Sequence, residues 1–181
     1  MSAVGTLAVR EARPDEHAAA GRLLVAVYAA LPGFSSPQEQ PDYYATLANV
    51  GTLAGRPGAQ LLVAAGADGA LAGVVVYFGD MAQYGGGGIA SELRDAAGIR
   101  LLAVDPARRG GGVGRLLTET CIARARAARR AQVVLHTTRA MPVAWRLYEQ
   151  LGFVRDVALD FDQQGLPVHG FRLPLGPARV T

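Results

Sequence analysis

A run of glycines follows directly on an apolar segment, and its backbone could bind an anion. Residues 105–115 read DPARRGGGVGR, and residues 99–104 before them read IRLLAV. The first turn of a helix has four N–H groups without an intrahelical partner and the positive end of the helix dipole. If a helix begins at these glycines, its N–H groups can surround a diphosphate, because glycine has no side chain to keep the anion away. Arg109 would add a charged donor at the rim.

Two common phosphate-binding patterns do not describe this loop. A P-loop requires a lysine, and all 18 of the Lys and Arg residues in this chain are arginines. The dinucleotide fingerprint Gly-x-Gly-x-x-Gly also fails, because Arg115 stands where a pattern starting at Gly110 needs its last glycine. Glycines also occur where a strand-to-helix turn is simply tight. The three glycines alone therefore leave a phosphate site and a tight turn equally open.

The segments on either side of the loop predict a parallel pair of strands. Residues 99–104 and 132–136 are predicted strands, and about 16 residues from Gly112 onward are a predicted helix. The buried face of that helix would contain Val113, Leu116, Leu117, Thr120 and Cys121. A strand, helix and strand of these lengths form a parallel pair with a right-handed crossover.

The other predicted elements surround this unit without an internal repeat or a domain-sized linker, which predicts one mixed α/β domain over residues 1–181. They are a strand over 5–10, a helix over 15–30, a second helix starting at 35–37 and carrying Tyr43, Tyr44 and Leu47, a hairpin of strands 60–65 and Leu71–Phe78, an irregular and mobile loop over 80–98, a helix Pro142–Gln150, and strands 153–161 and 168–175.

Composition excludes several classes of protein. Hydrophobic residues make up 50% and charged residues 18% of the chain, which is typical of a globular protein. We see no apolar run of the roughly 18 residues that a membrane span needs, and no signal peptide at the start. The single cysteine, Cys121, excludes an internal disulfide and predicts the reducing cytoplasm. No spacing of cysteine, histidine or carboxylate residues suggests a metal site.

The net charge does not by itself indicate a nucleic-acid partner. The formal charge is only +3. Seven arginines lie between Arg108 and Arg130, and they could bind nucleic acid with a steep salt dependence. They could also form the solvated face of the predicted helix, which we favour, so that no nucleic acid is expected as a partner.

Two motifs together resemble one family. Residues 109–114, RGGGVG, resemble the Arg/Gln-x-x-Gly-x-Gly/Ala acetyl-CoA loop of the GNAT superfamily of N-acetyltransferases, and the flanking LLAVDP and RLL fit as well. Residues 147–153, LYEQLGF, resemble that family's second signature at about the usual distance. The resemblance covers residues 99–153. It implies a GNAT-like single domain, with a central, mostly antiparallel mixed sheet that contains a splayed parallel strand pair and is flanked by helices.

The resemblance also implies a cofactor and the residues that hold it. Acetyl-CoA would be the co-substrate, attacked directly by a neutral amine in a ternary complex. By resemblance, the pantetheine arm would lie beside Leu102, Ala103 and Val104, and the diphosphate would bind the amides of Arg109, Gly110, Gly111, Gly112, Val113 and Gly114. An N–H group near Ala103 or Val104 would stabilise the oxyanion.

Tyr148 is the residue that the resemblance places in proton transfer. In the family, a tyrosine at this position gives a proton to the departing thiolate. A phenol with a pKa of about 10 is no strong acid beside a thiol of about 8.5, so positioning matters more than acidity. On spacing alone we would favour a core aromatic, because Ala144, Leu147, Tyr148 and Leu151 form one apolar helical stripe. With the resemblance, the catalytic role is favoured.

One position departs from the pattern of the family. Many members have an asparagine where this chain has Met141, and Thr137, Thr138 or Arg139 could replace its contact.

The sequence does not identify the general base. Candidate bases are Asp80, Glu92, Asp95 and His136, and water could replace them all.

The acceptor is expected to be a small amine or an amino-acid-like molecule. Its pocket would be formed by residues 31–44, 81–94 and 163–171, where Phe34, Tyr43, Tyr44 and Tyr84 either line the pocket or pack in the core. The alternative to an enzyme is a non-catalytic acyl-CoA-binding or sensing module of the same fold. Resemblance to the family also implies a possible homodimer.

Overall fold

A computed structural model describes residues 6–177 as one mixed sheet with helices on both faces. The strands are β1 (Ala8–Glu11), β2 (Ala59–Ala65), β3 (Leu71–Phe78), β4 (Ala96–Val104), β5 (Gln132–Thr137), β6 (Val154–Arg155), β7 (Phe161–Gln163) and β8 (Leu166–Pro174). The helices are α1 (His17–Ala29), α2 (Pro41–Ala48), α3 (Gly51–Ala54), α4 (Val113–Ala127) and α5 (Pro142–Gln150).

The strand order is β1-β2-β3-β4-β5-β8-β6, and β7 pairs with β8 off this path. Only the neighbours β4 and β5 are parallel among the described strands, and α4 connects them. All other described pairs are antiparallel. A mostly antiparallel mixed sheet with one parallel pair confirms the predicted fold class.

The parallel pair opens partway along its length. Its ladder runs from Ala96 opposite Gln132 to Ile99 opposite Leu135 and then ends. At the same point β4 contains a bulge against β3, and Leu101 has a φ of 58°. A bulge bends its strand, and left-handed backbone at a leucine is strained and persists only where the surroundings impose it. The β5-facing edge of β4 beyond Ile99 is therefore left without a strand partner.

Both faces of the sheet are buried, each under a different set of helices. Residues of α1, α2 and α3 pack on one face, where Leu24 and Leu47 lie in the same cluster as Val74 and Phe78. Residues of α4 and α5 pack on the other. Cys121 lies within this second cluster, and burial raises the pKa of its thiol to about 12. A thiol that stays protonated acts as a packing residue.

Helix α2 begins at Pro41, so the predicted start at residues 35–37 was wrong. Ser36 and Glu39 instead form a closed turn, in which the Ser36 N–H donates to Glu39 Oε2 at 2.6 Å. Gln40 has φ −134° and ψ 65°, because the proline ring that follows disfavours helical backbone at the preceding residue. The helix can therefore begin only at the proline itself.

The predicted strand over residues 153–161 was also wrong. A short 3-10 turn, Val157–Leu159, separates β6 from β7. Asp156 starts that turn, since its carboxylate accepts a hydrogen bond from the Ala158 N–H at 3.1 Å. Smaller differences occur at β4, which begins at Ala96, and at β1, which begins at Ala8. Gly5, where the first strand was predicted to begin, lies outside the described residues.

Candidate active site

The glycine loop has the backbone that a helix N-terminus open to a ligand requires. Gly110 and Gly112 have φ values of 80° and 78°, a region that other residues rarely adopt. Gly112 immediately precedes α4, which begins at Val113. No atom lies within 4 Å of a Cβ placed on either glycine. The first turn of α4 therefore faces open space.

That space is a cavity of about 660 Å³ between the loop, the end of β4 and helices α1 and α5. Eight of the nine residues predicted to hold the cofactor line it: Leu102, Ala103, Val104, Arg109, Gly110, Gly112, Val113 and Gly114. Gly111 does not. Sequence reasoning missed Val27 and Tyr28 from α1, and Arg108, Arg115, Ala144, Arg146 and Leu147. Leu31, which follows α1, also lines the cavity and lies at the edge of the segment 31–44 predicted for the acceptor. The apolar stripe of α5 was a signal for Ala144 and Leu147, but it was interpreted as core.

The cavity combines an apolar wall with a basic rim. A Cβ on Gly114 would lie 3.5 Å from Leu147 and 3.6 Å from Val104, so the two side chains enclose the start of α4 closely. Four arginines and no carboxylate occur among the described residues that line it. A long ligand with an apolar arm and an anionic end fits such a surface.

A second, smaller cavity of about 70 Å³ adjoins the first where β4 and β5 part. Tyr28 and Met141 line both cavities. The second is otherwise lined by Phe34, Tyr43, Tyr84, Gly86, Arg100, Leu101, His136, Thr137, Thr138, Phe161, Gln163, Leu166 and Val168. Tyr44 is not among these residues. Its hydroxyl donates to the Ser35 carbonyl at 2.8 Å.

Met141 lies at the junction of the two cavities. It is the last residue before α5, and its Sδ atom accepts a hydrogen bond from the Thr137 hydroxyl at 3.6 Å. The thioether therefore contacts one of the three residues that we expected to compensate for the missing asparagine.

His136 is the one candidate base that faces the second cavity. Its Nε2 lies 2.8 Å from the Leu159 carbonyl and its Nδ1 lies 2.8 Å from the Tyr84 hydroxyl. Because a carbonyl only accepts, the hydrogen is assigned to Nε2, and Nδ1 accepts from Tyr84. Burial lowers the pKa of His136, and so does Arg100, while the Leu159 carbonyl and Asp160 oppose them. The imidazole is therefore held neutral, and the lone pair of its Nδ1 accepts the hydrogen bond from the Tyr84 hydroxyl.

The other candidate bases lie away from this cavity. Asp80 caps a short turn by accepting from the Ala82 N–H, and Glu92 lies with it around a separate surface cavity. Asp95 contacts the Gln132 amide at 3.4 Å. The structure brings none of these three carboxylates to the junction.

Tyr148 is buried on α5 and lines neither cavity directly. Its ring packs edge-on against Phe153, with 5.8 Å between centroids. Burial raises its pKa, and the Tyr84 phenol adds to this; Tyr148 in turn helps to raise the pKa of Tyr28. Its hydroxyl has no hydrogen-bond partner within residues 6–177. Tyr148 thus packs in the core and also lies close to the phenols at the junction.

Two arginines of α4 have side-chain partners within the fold. Arg115 pairs with Glu119 at 3.2 Å, and Arg124 donates to the Gln60 side chain at 2.8 Å. Arg108, Arg109 and Arg115 line the larger cavity.

Across residues 6–177, we find no group of three or more histidine, cysteine or carboxylate side chains that could hold a metal ion. None of the described helices is long and apolar enough to cross a membrane.

Comparison with known proteins identifies relatives of the whole domain and of a part of it. The model of the acetyltransferase (GNAT) family matches residues 22–153. A mycothiol acetyltransferase from Streptosporangium roseum is 46% identical over 57 residues, which are 32% of this chain. The match spans only 17% of the length of that curated relative.

Solved structures share the fold over nearly the whole chain. An acetyltransferase of the GNAT family from Staphylococcus aureus Mu50 superposes with a TM-score of 0.72 and 14% identity, covering 94% of this chain and 99% of that one. YncA from Salmonella typhimurium, solved with its cofactor acetyl-CoA, has a TM-score of 0.61 and 19% identity, and 98% of each chain is covered. At these identities the likeness concerns the fold.

Proposed function

Because the chain belongs to the acetyltransferase (GNAT) family, we propose that it uses acetyl-CoA to acetylate the primary amine of a small-molecule acceptor. The observation that carries this proposal is the pair of adjoining cavities, one long with a basic rim and one small and aromatic, which meet at Tyr28 and Met141. Both cavities open toward the same junction. Donor and acceptor can therefore bind together, and the amine attacks the thioester directly.

In this proposal the donor lies along the larger cavity. Its diphosphate binds the N–H groups at the start of α4, with Arg109 at the rim. Its pantetheine arm pairs with the edge of β4 that has no strand partner beyond Ile99. Leu102 and Leu147 provide the apolar wall beside that arm.

The Val104 N–H is the better placed of the two predicted oxyanion donors. The Asp105 N–H donates to the carbonyl of Ala72, the second residue of β3, at 2.9 Å. N–H groups alternate between the two edges of a strand, so the N–H of Val104 points away from β3 and toward the opening. A donor already in place there stabilises the charge that develops on the thioester oxygen.

Two proton transfers complete the reaction. The amine nitrogen bonds to the thioester carbon, the carbon–sulfur bond breaks, and the proton that leaves the nitrogen passes through the Tyr84 hydroxyl to His136 Nδ1. Tyr148 gives its proton to the thiolate. The 2.8 Å contact between Tyr84 and His136 supports this route.

Replacing His136 with asparagine is expected to lower kcat about tenfold, because the base acts through Tyr84 and water can partly replace it. The wild-type kcat should fall on the acid side with a midpoint below pH 6.5, since the pKa of His136 is lowered from 6.5 and the neutral form is the one that accepts. In His136→Asn this acid limb should be absent. The measurement is kcat against pH at saturating acceptor.

His17→Asn is the matched control for this profile. His17 is half-buried and lines neither cavity. An unchanged acid limb in His136→Asn, or its loss in His17→Asn, would show that His136 does not hold the proton.

Two measurements test the proposed function as a whole. Acetyl-CoA should raise the melting temperature by mass action, and a panel of amines should then release free thiol from it. No thermal shift at saturating acetyl-CoA would contradict the assignment. A shift without thiol release from any amine would favour the non-catalytic acyl-CoA-binding module.

The proposal extends to the setting in which the enzyme works. We expect residues 1–181 to act as one N-acetyltransferase unit in the cytoplasm, without a nucleic-acid partner. The single cysteine, which can form no internal disulfide, supports a reducing compartment. The exposed pair of Arg115 and Glu119 supports a solvated helix face.

A further inference from the structure

Arg100 projects a guanidinium toward the second cavity without an acidic partner. It lies on β4, is half-buried and lines that cavity. It donates one hydrogen bond, to the Tyr84 carbonyl at 2.7 Å, and its Cζ lies 5.7 Å from the centre of the Tyr84 ring. No ion pair joins it to a carboxylate within residues 6–177. A guanidinium has five N–H donors, so most of its donors are unused by the protein.

The charge of Arg100 dominates the second cavity. Arg100 lines this cavity together with Tyr28, Tyr43, Tyr84 and His136. Its positive charge lowers the pKa of all four groups, which opposes the effect of burial in the three phenols. No aspartate or glutamate occurs among the described residues that line this cavity.

The acidic group beyond His136 is already neutralised. Arg155 makes two hydrogen bonds of 2.8 Å to Asp160, and the Gly170 N–H makes a third of 2.7 Å. The second cavity is therefore positively charged, and the small aromatic space around Arg100 lacks the anion that would balance it.

We propose that the acceptor is a compact amine that carries a carboxylate, an amino acid or a molecule of similar size, and that Arg100 binds this carboxylate. This inference rests on the proposed function. A planar guanidinium suits a carboxylate because two N–H groups can bind its two oxygens at once. A carboxylate there directs the amine of a short molecule toward the junction at Tyr28 and Met141.

Size and charge exclude other amines from this site. The cavity of about 70 Å³ holds roughly five water-sized positions, so the amine and the carboxylate are separated by few atoms. A second ammonium group, as in a diamine, would lie beside Arg100 with no carboxylate to balance either charge.

The test compares acceptors that differ in the carboxylate alone. Thiol release from acetyl-CoA is measured with L-alanine against ethylamine and with L-phenylalanine against 2-phenylethylamine. Phosphoethanolamine and 1,4-diaminobutane provide a phosphate arm and a dication arm. We expect kcat/KM to be at least about tenfold higher for the carboxylate-bearing member of a pair.

Arg100→Gln should remove this preference. Its kcat/KM for the carboxylate-bearing amine should fall about 10- to 100-fold, while that for the amine without a carboxylate changes less than about threefold. Arg56→Gln is the matched control, since exposed Arg56 donates to the neighbouring Gln83 carbonyl at 2.9 Å but does not line the cavity. It should keep the preference.

Binding is measured separately from turnover, so that failure of the two proposals can be told apart. N-acetyl-L-alanine and N-acetyl-L-phenylalanine, with coenzyme A present, should bind the wild type in calorimetry and bind Arg100→Gln at least about tenfold more weakly. Binding without thiol release contradicts the proposed function alone. Four results would each overturn the carboxylate assignment. They are equal kcat/KM values within each pair, a preference for the carboxylate that survives in Arg100→Gln, faster turnover of phosphoethanolamine or 1,4-diaminobutane, and absence of binding by the N-acetyl amino acids.

Discussion

The Tyr148→Phe variant is expected to lose about 100-fold or more in kcat, with the dissociation constant of acetyl-CoA unchanged. Burial raises the pKa of Tyr148 above its ordinary value of 10, so the phenol is protonated throughout the physiological range. Because the same shift makes it a weaker acid than a thiol of about 8.5, its proton transfer depends on a hydroxyl positioned at the departing sulfur. The thiolate is a poor leaving group in a dry site unless it is protonated as it departs. Phenylalanine keeps the ring that packs on Phe153 and removes only the hydroxyl.

Tyr77→Phe is the matched control for this substitution. Tyr77 lies in the same buried cluster, is 5% exposed as Tyr148 is, and also has a pKa raised by burial. Its phenol lies near Arg124 and Arg130, whereas that of Tyr148 lies near Tyr84 and Tyr28 at the junction of the cavities, so the Tyr77 variant should keep full kcat. Full turnover in Tyr148→Phe would contradict the catalytic role. A loss of stability with unchanged kcat would assign Tyr148 to the core alone.

The Gly112→Val variant is expected to bind acetyl-CoA about 100-fold more weakly. A valine side chain at residue 112 enters the open space in front of α4 and prevents a backbone N–H from reaching the diphosphate. Each charge-assisted hydrogen bond lost in this way is worth about 1.5–3 kcal/mol. The backbone at this position is left-handed, with a φ of 78°, so an L-residue also introduces about 1–2 kcal/mol of strain. That strain lowers the free energy of unfolding and not the affinity. Calorimetric titration with acetyl-CoA measures the affinity.

Gly69→Val separates the strain from the lost contact. Gly69 also has a φ of 78° with no atom within 4 Å of a Cβ, but it lies in the hairpin between β2 and β3. Both variants should lose similar free energy of unfolding, and only Gly112→Val should lose affinity. Similar affinity losses in both, or none in either, would show that the loop does not hold the diphosphate.

The sequence predicted those parts of the fold that depend on near neighbours. The loop, the start of α4 and the hairpin of β2 and β3 follow from glycine positions and local apolar patterns, and the structure has them within a few residues. The errors arose where a single residue interrupted an apolar pattern. Pro41 moved the start of α2, and Asp156 closed a turn inside the predicted last strands.

The residues around the larger cavity were predictable mainly through the glycine loop, because Arg109 to Gly114 are contiguous and form one motif. Phe34, Tyr43 and Tyr84 were candidates for the acceptor pocket and line the smaller cavity, but the contacts within it were not predictable. The contact between Tyr84 and His136 joins residues 52 apart in the sequence, and nothing in either neighbourhood indicates the other. Arg100 sits within a predicted strand, where a pattern of apolar residues gives no reason to assign it a ligand.

The sequence alone determined that a glycine loop would precede a helix in a strand-helix-strand unit, because φ preferences and helix starts depend on residues close along the chain. Only the tertiary structure decided which surfaces face that loop. The bulge at Leu101 and the end of pairing at Ile99 depend on how β3, β4 and β5 meet. These contacts between distant segments open the sheet, join two cavities at Tyr28 and Met141, and leave Arg100 facing the smaller one.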